Sequence, residues 1–124
     1  MDTLTGRAAT DVELKEALDF LQNRKGYTDR ELEDMMNLLI ELKGMMGNQV
    51  IHFVYRKTDG SERHAYGTRD MEILSRHNAL AGAKGRKSLG HVSTGTFPYF
   101  DLQRQAWRCF RIDSLLSIDK NYLI

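Results

Sequence analysis

One change in hydrophobic periodicity, close to residue 48, constrains the fold of this chain more than any other feature. Before that point apolar residues recur every three or four positions, and after it β-branched and aromatic residues follow one another in short runs. Helical spacing followed by extended spacing predicts an α+β protein whose helices and strands are consecutive in sequence. A chain of 124 residues has room for one compact domain with a helical arm.

Two amphipathic helices are predicted in the first part, and each begins with a capping box. Thr10 and Glu13 have the spacing of the first box, and Thr28 and Glu31 have that of the second. In a capping box the hydroxyl accepts a hydrogen bond from a first-turn amide, and the carboxylate reaches back to the cap residue. We expect the second helix to end at Lys43, where glycines begin.

Three segments follow from these patterns. We expect a flexible N-terminus over residues 1–9, a helical hairpin arm over 10–47 and a small five-stranded β-barrel over 48–124. A barrel is favoured over an open sheet because closure removes unpaired strand edges. Within the barrel, glycines and cations between residues 81 and 95 predict a long flexible loop.

The net charge of +1 conceals two oppositely charged halves. Residues 1–47 carry six Lys and Arg against ten Asp and Glu, and residues 48–124 carry twelve against seven. Either the halves attract each other within the molecule, or the basic half faces an anionic partner. No acidic residue occurs between Glu72 and Asp101, so the cations of that stretch have no local counter-charge.

Nucleic acid or another polyanion is the sharpest partner hypothesis. Cationic side chains neutralise phosphates and release counterions, and small barrels also stack unpaired bases on aromatic rings. The predicted polyanion-binding residues are Arg76, Lys84, Arg86, Lys87, Arg108 and Arg111, and the predicted stacking residues are Tyr66, Tyr99 and Trp107. The alternative is a solvated loop, with aromatic side chains that fill a small core.

Strand alternation refines the stacking hypothesis. Along residues 107–112 it puts Phe110 and Ile112 on one face and Trp107 and Arg111 on the other, so that if the first pair points into the barrel the second pair points outward. An outward Trp107 either stacks on a base or packs beneath one of the two helices.

No catalytic, metal or cofactor site is predicted. The four histidines lack the spacing of metal ligands, Cys109 has no base beside it, and the glycines match no phosphate-binding motif. We therefore expect a non-enzymatic protein. One Cys, no secretory signal and no apolar run of roughly 18 residues indicate a cytoplasmic protein outside the membrane.

The second half of the chain resembles a family of small bacterial and phage proteins that have an SH3 β-barrel fold and no assigned function. The resemblance covers residues 49–119 and rests on an ordered series of short motifs: Phe53 to Arg63, Ala65 to Thr68, Tyr99 to Leu102 and Trp107 to Arg111. It implies that the predicted barrel is SH3-like.

A more distant resemblance links the chain to the WYL domain of bacterial regulators. It rests on Phe53 and Tyr55, on Gly60 and Arg63, and on the run from Arg108 to Asp113, whereas Tyr99-Phe100-Asp101 stands where Trp-Tyr-Leu is expected. This resemblance implies the sensing of a small ligand or of nucleic acid. A third class stays open beside polyanion binding and ligand sensing: a protein-interaction module, which self-associates through its helices or modulates a host or cellular protein.

Overall fold

The computed structural model describes residues 11–80 and 91–120. Two helices, α1 (Val12–Gln22) and α2 (Asp29–Met46), precede five strands and one short helix. In chain order these are β1 (Ile51–Arg56), β2 (Glu62–Thr68), α3 (Met71–Arg76), β3 (Thr96–Asp101), β4 (Ala106–Arg111) and β5 (Leu115–Asp119). Single 3₁₀ turns at Val92–Thr94 and Ile112–Ser114 precede β3 and β5. The predicted α+β order of helices and five strands is confirmed.

The cap of α1 differs from the prediction. Asp11 is its N-cap, and the Asp11 carboxylate accepts a hydrogen bond from the Leu14 amide at 3.1 Å. Thr10 lies outside the described residues. Glu13 does not reach back to a cap, because its carboxylate pairs with Lys43 and Arg69. Glu13 therefore forms two ion pairs with residues distant in sequence instead of the predicted capping hydrogen bond.

The cap of α2 agrees with the prediction, but its end does not. The Thr28 hydroxyl accepts from the Glu31 amide at 3.1 Å, and the Glu31 carboxylate accepts from the Thr28 amide at 2.9 Å. The helix then continues through Gly44 to Met46. Met46 is completely buried, and burial of such a side chain outweighs the cost of about 1 kcal/mol for a helical glycine.

The strands form one antiparallel sheet in the order β4-β3-β2-β1-β5. Neighbouring strands lie about 4.8 Å apart, so a flat sheet would separate β1 from β4 by about 14 Å. Instead the ring of Phe110 on β4 lies 5.4 Å from Phe53 and 5.2 Å from Tyr55, both on β1. The sheet therefore curls until its first and fourth strands share one interior.

Gly67 allows this curl. It pairs with Ile51 on one side and with Asp101 on the other, where β2 and β3 have only two paired positions. A Cβ atom at Gly67 would lie 2.5 Å from Cδ2 of Tyr99 and 3.1 Å from Cε1 of Phe53. The absence of a side chain thus lets two aromatic rings approach the backbone at the bend.

The helical arm and the barrel share one hydrophobic core. Leu21 of α1, Met36 and Leu39 of α2, and Phe53 and Phe97 of the barrel belong to the same buried cluster. In the described part of the chain the exposed large apolar side chains are Val12, Met71, Leu80 and Leu116, none of which belongs to α2. The prediction that the protein self-associates through its helices therefore has no exposed apolar stripe on α2 to support it.

Ion pairs also join the two halves. Glu13 pairs with Arg69 at 2.7 Å, and Glu41 pairs with Lys120 at 2.8 Å. In both pairs an acid of the arm meets a cation of the barrel half. This supports the first interpretation of the charge asymmetry, attraction within the molecule.

A second, smaller core lies on the other face of the β3–β4 hairpin. Leu74 of α3 packs with Ala79 and Phe100, and Trp107 packs against this cluster. The indole Nε1 of Trp107 donates to the Ala79 carbonyl at 3.3 Å. The predicted strand phase is correct, since Phe110 belongs to the main core and Trp107 does not.

Candidate anion-binding site

A groove of about 560 Å³ opens at the seam of the curled sheet. It lies between the end of β1, the end of β4 and the 3₁₀ turn that leads into β5. Apolar surface comes from Tyr55, Phe110 and Leu116, and positive charge comes from Arg56, Lys57 and Arg111. The register of the β1–β5 pairing shifts at this groove, since Val54 lies opposite Ser117 but Tyr55 lies opposite Leu115.

The turn after β1 positions two of the cations. The amide of Lys57 donates to the Ser61 carbonyl at 2.7 Å, and Arg56 Nη1 donates to the Gly60 carbonyl at 2.7 Å. Lys57 and Arg56 also approach Asp59 and Glu62, at 4.0 and 3.9 Å. Exposed pairs of this length contribute about 0 to 1 kcal/mol, so an anionic ligand displaces them at little cost.

Among the described residues that line the groove, Asp113 is the one with a carboxylate, and this carboxylate already has hydrogen-bond and ion-pair partners. Arg111 Nε donates to its Oδ1 at 3.2 Å, the Tyr27 hydroxyl donates to its Oδ2 at 2.9 Å, and Arg24 lies 3.5 Å away. Burial alone would favour the neutral acid. The hydrogen bonds from Arg111 and Tyr27 outweigh it and hold the pKa of Asp113 below its ordinary value.

Cys109 also lines the groove. Burial raises the pKa of its thiol, and this outweighs the opposite effect of Arg108. The thiol is therefore protonated at neutral pH, which makes it a poor nucleophile.

A buried polar network continues inward from the groove. The hydroxyls of Tyr55 and Tyr99 lie 3.0 Å apart, and burial together with this bond raises the pKa of Tyr99. Arg63 Nη2 donates to Asp101 Oδ2 at 2.7 Å, and Arg108 Nε lies 3.9 Å from the same oxygen. Tyr55, Arg63 and Arg108, which carry the WYL resemblance, thus lie close together in the structure.

The predicted cations are dispersed. Arg111 lines the groove, Arg108 lies beside the buried Asp101, and Arg76 is exposed at the end of α3. Lys84, Arg86 and Lys87 lie outside the described residues. The described part of the chain therefore brings one predicted cation, Arg111, into the groove.

Two of the three predicted stacking residues are unsuitable for that role. Tyr99 is completely buried, so the prediction that it stacks on a base is wrong. Trp107 packs beneath a helix, as one alternative predicted, but the helix is α3 and not one of the first two. Tyr66 is half-buried, and its ring stacks on His52 at a centroid distance of 4.7 Å.

Sequence reasoning missed Arg56 and Lys57. They are adjacent cations directly before a turn, which was the available signal. Asp59 and Glu62 follow closely and cancel their charge along the chain. Folding brings Arg111, which is distant in sequence, to the same groove. Among the residues that line the groove, cations therefore outnumber acids.

Within residues 11–80 and 91–120, no three His, Cys, Asp or Glu side chains are grouped as ligands of a metal ion. None of the helices in those ranges combines the length and the apolar character that crossing a membrane requires.

A curled antiparallel sheet behind two N-terminal helices, with a groove at its seam, defines an SH3-like barrel of the Sm-like type. The family model WYL_2, described as an Sm-like SH3 β-barrel fold, matches residues 39–116, and the chain belongs to this family. This confirms both predicted resemblances.

The chain is also similar to an uncharacterized 11.5 kDa protein from the Gp31–cd intergenic region of Enterobacteria phage T4. The two are 35% identical over 78 residues, which cover 63% of this chain and 74% of the phage protein. No solved structure matches the chain significantly.

Proposed function

We propose that this protein is a non-enzymatic binding module whose groove takes an anionic ligand, the backbone of a nucleic acid or another polyanion. One observation carries the proposal. Arg56, Lys57 and Arg111 surround an apolar groove in which Asp113, the one carboxylate of the described lining, is already paired.

The chemistry of the groove suits phosphate. Arginine presents several N–H donors in one plane, and lysine provides a mobile point charge. Phosphate contacts of this kind release counterions and make affinity depend on salt. The sequence also predicts Lys84, Arg86 and Lys87 as polyanion-binding residues, and these three lie outside the described residues.

A small anionic molecule is the second candidate ligand. The volume of the groove, about 560 Å³, lies within the range of roughly 300 to 1,000 Å³ that is typical of small-molecule sites. This candidate agrees with the ligand sensing that the WYL resemblance implies. It predicts saturable binding of a small anion that does not require a polymer.

The first test removes the two groove cations beside the turn. With Arg56→Ala and Lys57→Ala combined, we expect the affinity for heparin and for a single-stranded oligonucleotide to fall roughly tenfold. The slope of log affinity against log salt should decrease by about 2, one for each lost phosphate contact. Fluorescence anisotropy over a salt series measures both quantities.

A matched control removes the same charge from the arm. Lys15 and Arg30 are exposed on α1 and α2, away from the groove lining. Lys15→Ala with Arg30→Ala should leave affinity and slope nearly unchanged. Equal losses in the two double variants would show that overall charge, not the groove, controls binding.

The loop and the partner class have separate tests. Replacing Lys84, Arg86 and Lys87 together with Ala should weaken retention on heparin, and unchanged retention would remove the loop from the site. A pull-down from lysate with and without nuclease separates nucleic acid from a protein partner. Partners that persist after nuclease treatment would favour the protein-interaction alternative.

A further inference from the structure

Three aromatic side chains of the described residues, Tyr66, His52 and His64, form a row on the outer face of the β1–β2 hairpin. The ring of Tyr66 stacks on His52 at 4.7 Å between centroids, with 11° between the planes. The His52 imidazole then meets the His64 imidazole edge to edge, because the ring centroids lie 5.2 Å apart while His52 Nε2 and His64 Nδ1 lie only 3.0 Å apart. The sequence singled out Tyr66, but the histidines join it only through strand pairing, in which His52 lies opposite Tyr66.

Hydrogen bonds fix the middle ring of this row. His52 Nδ1 lies 3.2 Å from Asp119 Oδ2, and His52 Nε2 lies 3.0 Å from His64 Nδ1. The His52 side chain is only 16% exposed. A row that is already ordered loses little conformational freedom when a further ring is added to it.

The row opens toward the groove. Its outer ring, His64, is exposed, and Glu62 is the next residue on the same face of β2. Glu62 lies opposite Arg56, which lines the groove. Two residues along a strand span about 7 Å, so His64 and the groove cations lie within reach of one nucleotide.

We propose that this ring row is a base-stacking site that adjoins the groove, so that one nucleotide places its base on His64 and its phosphate against Arg56. The proposal rests on the proposed function and narrows it to single-stranded nucleic acid. Bases in a duplex are already stacked on both sides, whereas an unpaired base has a free face for an aromatic ring. Stacking of this kind tolerates any base sequence.

The test compares probes with and without bases. The protein and its variants are titrated with each probe at one fixed pH and salt concentration. The probes are a labelled single-stranded oligonucleotide of about 12 nucleotides, an abasic strand of equal length, and heparin. We expect His64→Ala to weaken binding of the base-containing strand at least about fivefold and to leave the other two unchanged.

Three variants make the result specific. His64→Phe keeps an aromatic ring and should restore binding of the base-containing strand. His77→Ala removes a half-buried histidine that is hydrogen-bonded to Gln105 on another part of the surface, and it should have no effect. Arg56→Ala should weaken all three probes, because it removes a phosphate contact and not a stack.

The failures of the two proposals are distinguishable. If the wild-type protein binds all three probes and His64→Ala binds the base-containing strand equally well, the ring row is not a stacking site, but the proposed function stands. If the wild-type protein binds none of the probes, both proposals are overturned. Equal weakening of all three probes by His64→Ala would also overturn the stacking role.

Discussion

The sheet can bend at Gly67 because glycine has no side chain that would collide with Tyr99. A methyl group there would lie 2.5 Å from the ring of Tyr99. This ring is completely buried, and its hydroxyl is hydrogen-bonded to the hydroxyl of Tyr55. The ring cannot move aside without breaking this bond. We expect Gly67→Ala to lower the free energy of unfolding by about 1 to 3 kcal/mol, measured by urea denaturation.

Gly44 provides the matched control. It lies within α2, and a Cβ atom there would meet nothing within 4 Å. Gly44→Ala should therefore raise the free energy of unfolding by about 0.5 to 1 kcal/mol, because alanine favours a helix over the unfolded chain. Effects of the same sign at both positions would contradict the role assigned to Gly67.

Glu13 makes stability depend on pH. Burial alone would raise its pKa, but hydrogen bonds and charges from Arg69 and Lys43 lower it from an ordinary 4.5 to about 2. Because the folded-state pKa is depressed, the stabilisation is complete above pH 4.5 and is lost as the pH falls toward 2. Arg69 also lies 3.7 Å over the ring of Phe97, so its charge is partly buried.

The corresponding variant is Glu13→Gln. We expect it to lose about 2 to 3 kcal/mol at pH 7, because it replaces the charged Glu13 carboxylate beside the buried Arg69 guanidinium with a neutral amide. The loss should diminish between pH 4.5 and pH 2, where wild-type Glu13 becomes protonated. Urea denaturation over that pH range measures it, and parallel stability curves for the two proteins would contradict the assignment.

Among the elements, α2 has the clearest local start signal. Removing the Thr28 hydroxyl leaves the Glu31 amide without its partner, so Thr28→Ala should cost about 1 kcal/mol in the free energy of unfolding. Glu31→Gln should cost less, since an amide oxygen can accept the same bond from the Thr28 amide. Thermal denaturation followed by circular dichroism compares the two, and the reverse order would argue against the capping box.

Local signals of this type account for most elements that the sequence predicts. Caps and turns, such as Thr28 with Glu31 and the turn at Gly60, act over four or five residues and can be recognised without the fold. The end of α2 could not be predicted, because the burial of Met46 depends on the barrel. The predicted capping box of α1 was wrong for the same reason, since Glu13 pairs with Arg69, 56 residues away.

The candidate site likewise has some residues that the sequence predicts and others that only the fold reveals. Arg111 was predicted from its charge and its strand phase, whereas Arg56 was hidden by the acids that follow it. The ring row required the pairing of β1 with β2, which brings His64 beside His52 although twelve residues separate them. Composition and spacing along the chain carry no record of such neighbours.

At the scale of the molecule, the shared core predicts that the barrel does not fold alone. Leu21, Met36 and Leu39 of the arm cover apolar side chains of the strands. A truncated chain of residues 48–124 would expose this surface to water, so we expect it to lack a cooperative unfolding transition. Calorimetry checks this, and a sharp transition from the truncated chain would show that the arm is dispensable.

The position of Trp107 has a practical consequence. It is the only tryptophan in the sequence and lies beneath α3, apart from the core that joins the arm to the strands. Its fluorescence therefore reports on the layer formed by α3 and the last hairpin, whereas far-ultraviolet ellipticity reports mainly on α1 and α2. The molecule thus contains two separate optical probes, and a mismatch between their melting curves would reveal which side loosens first.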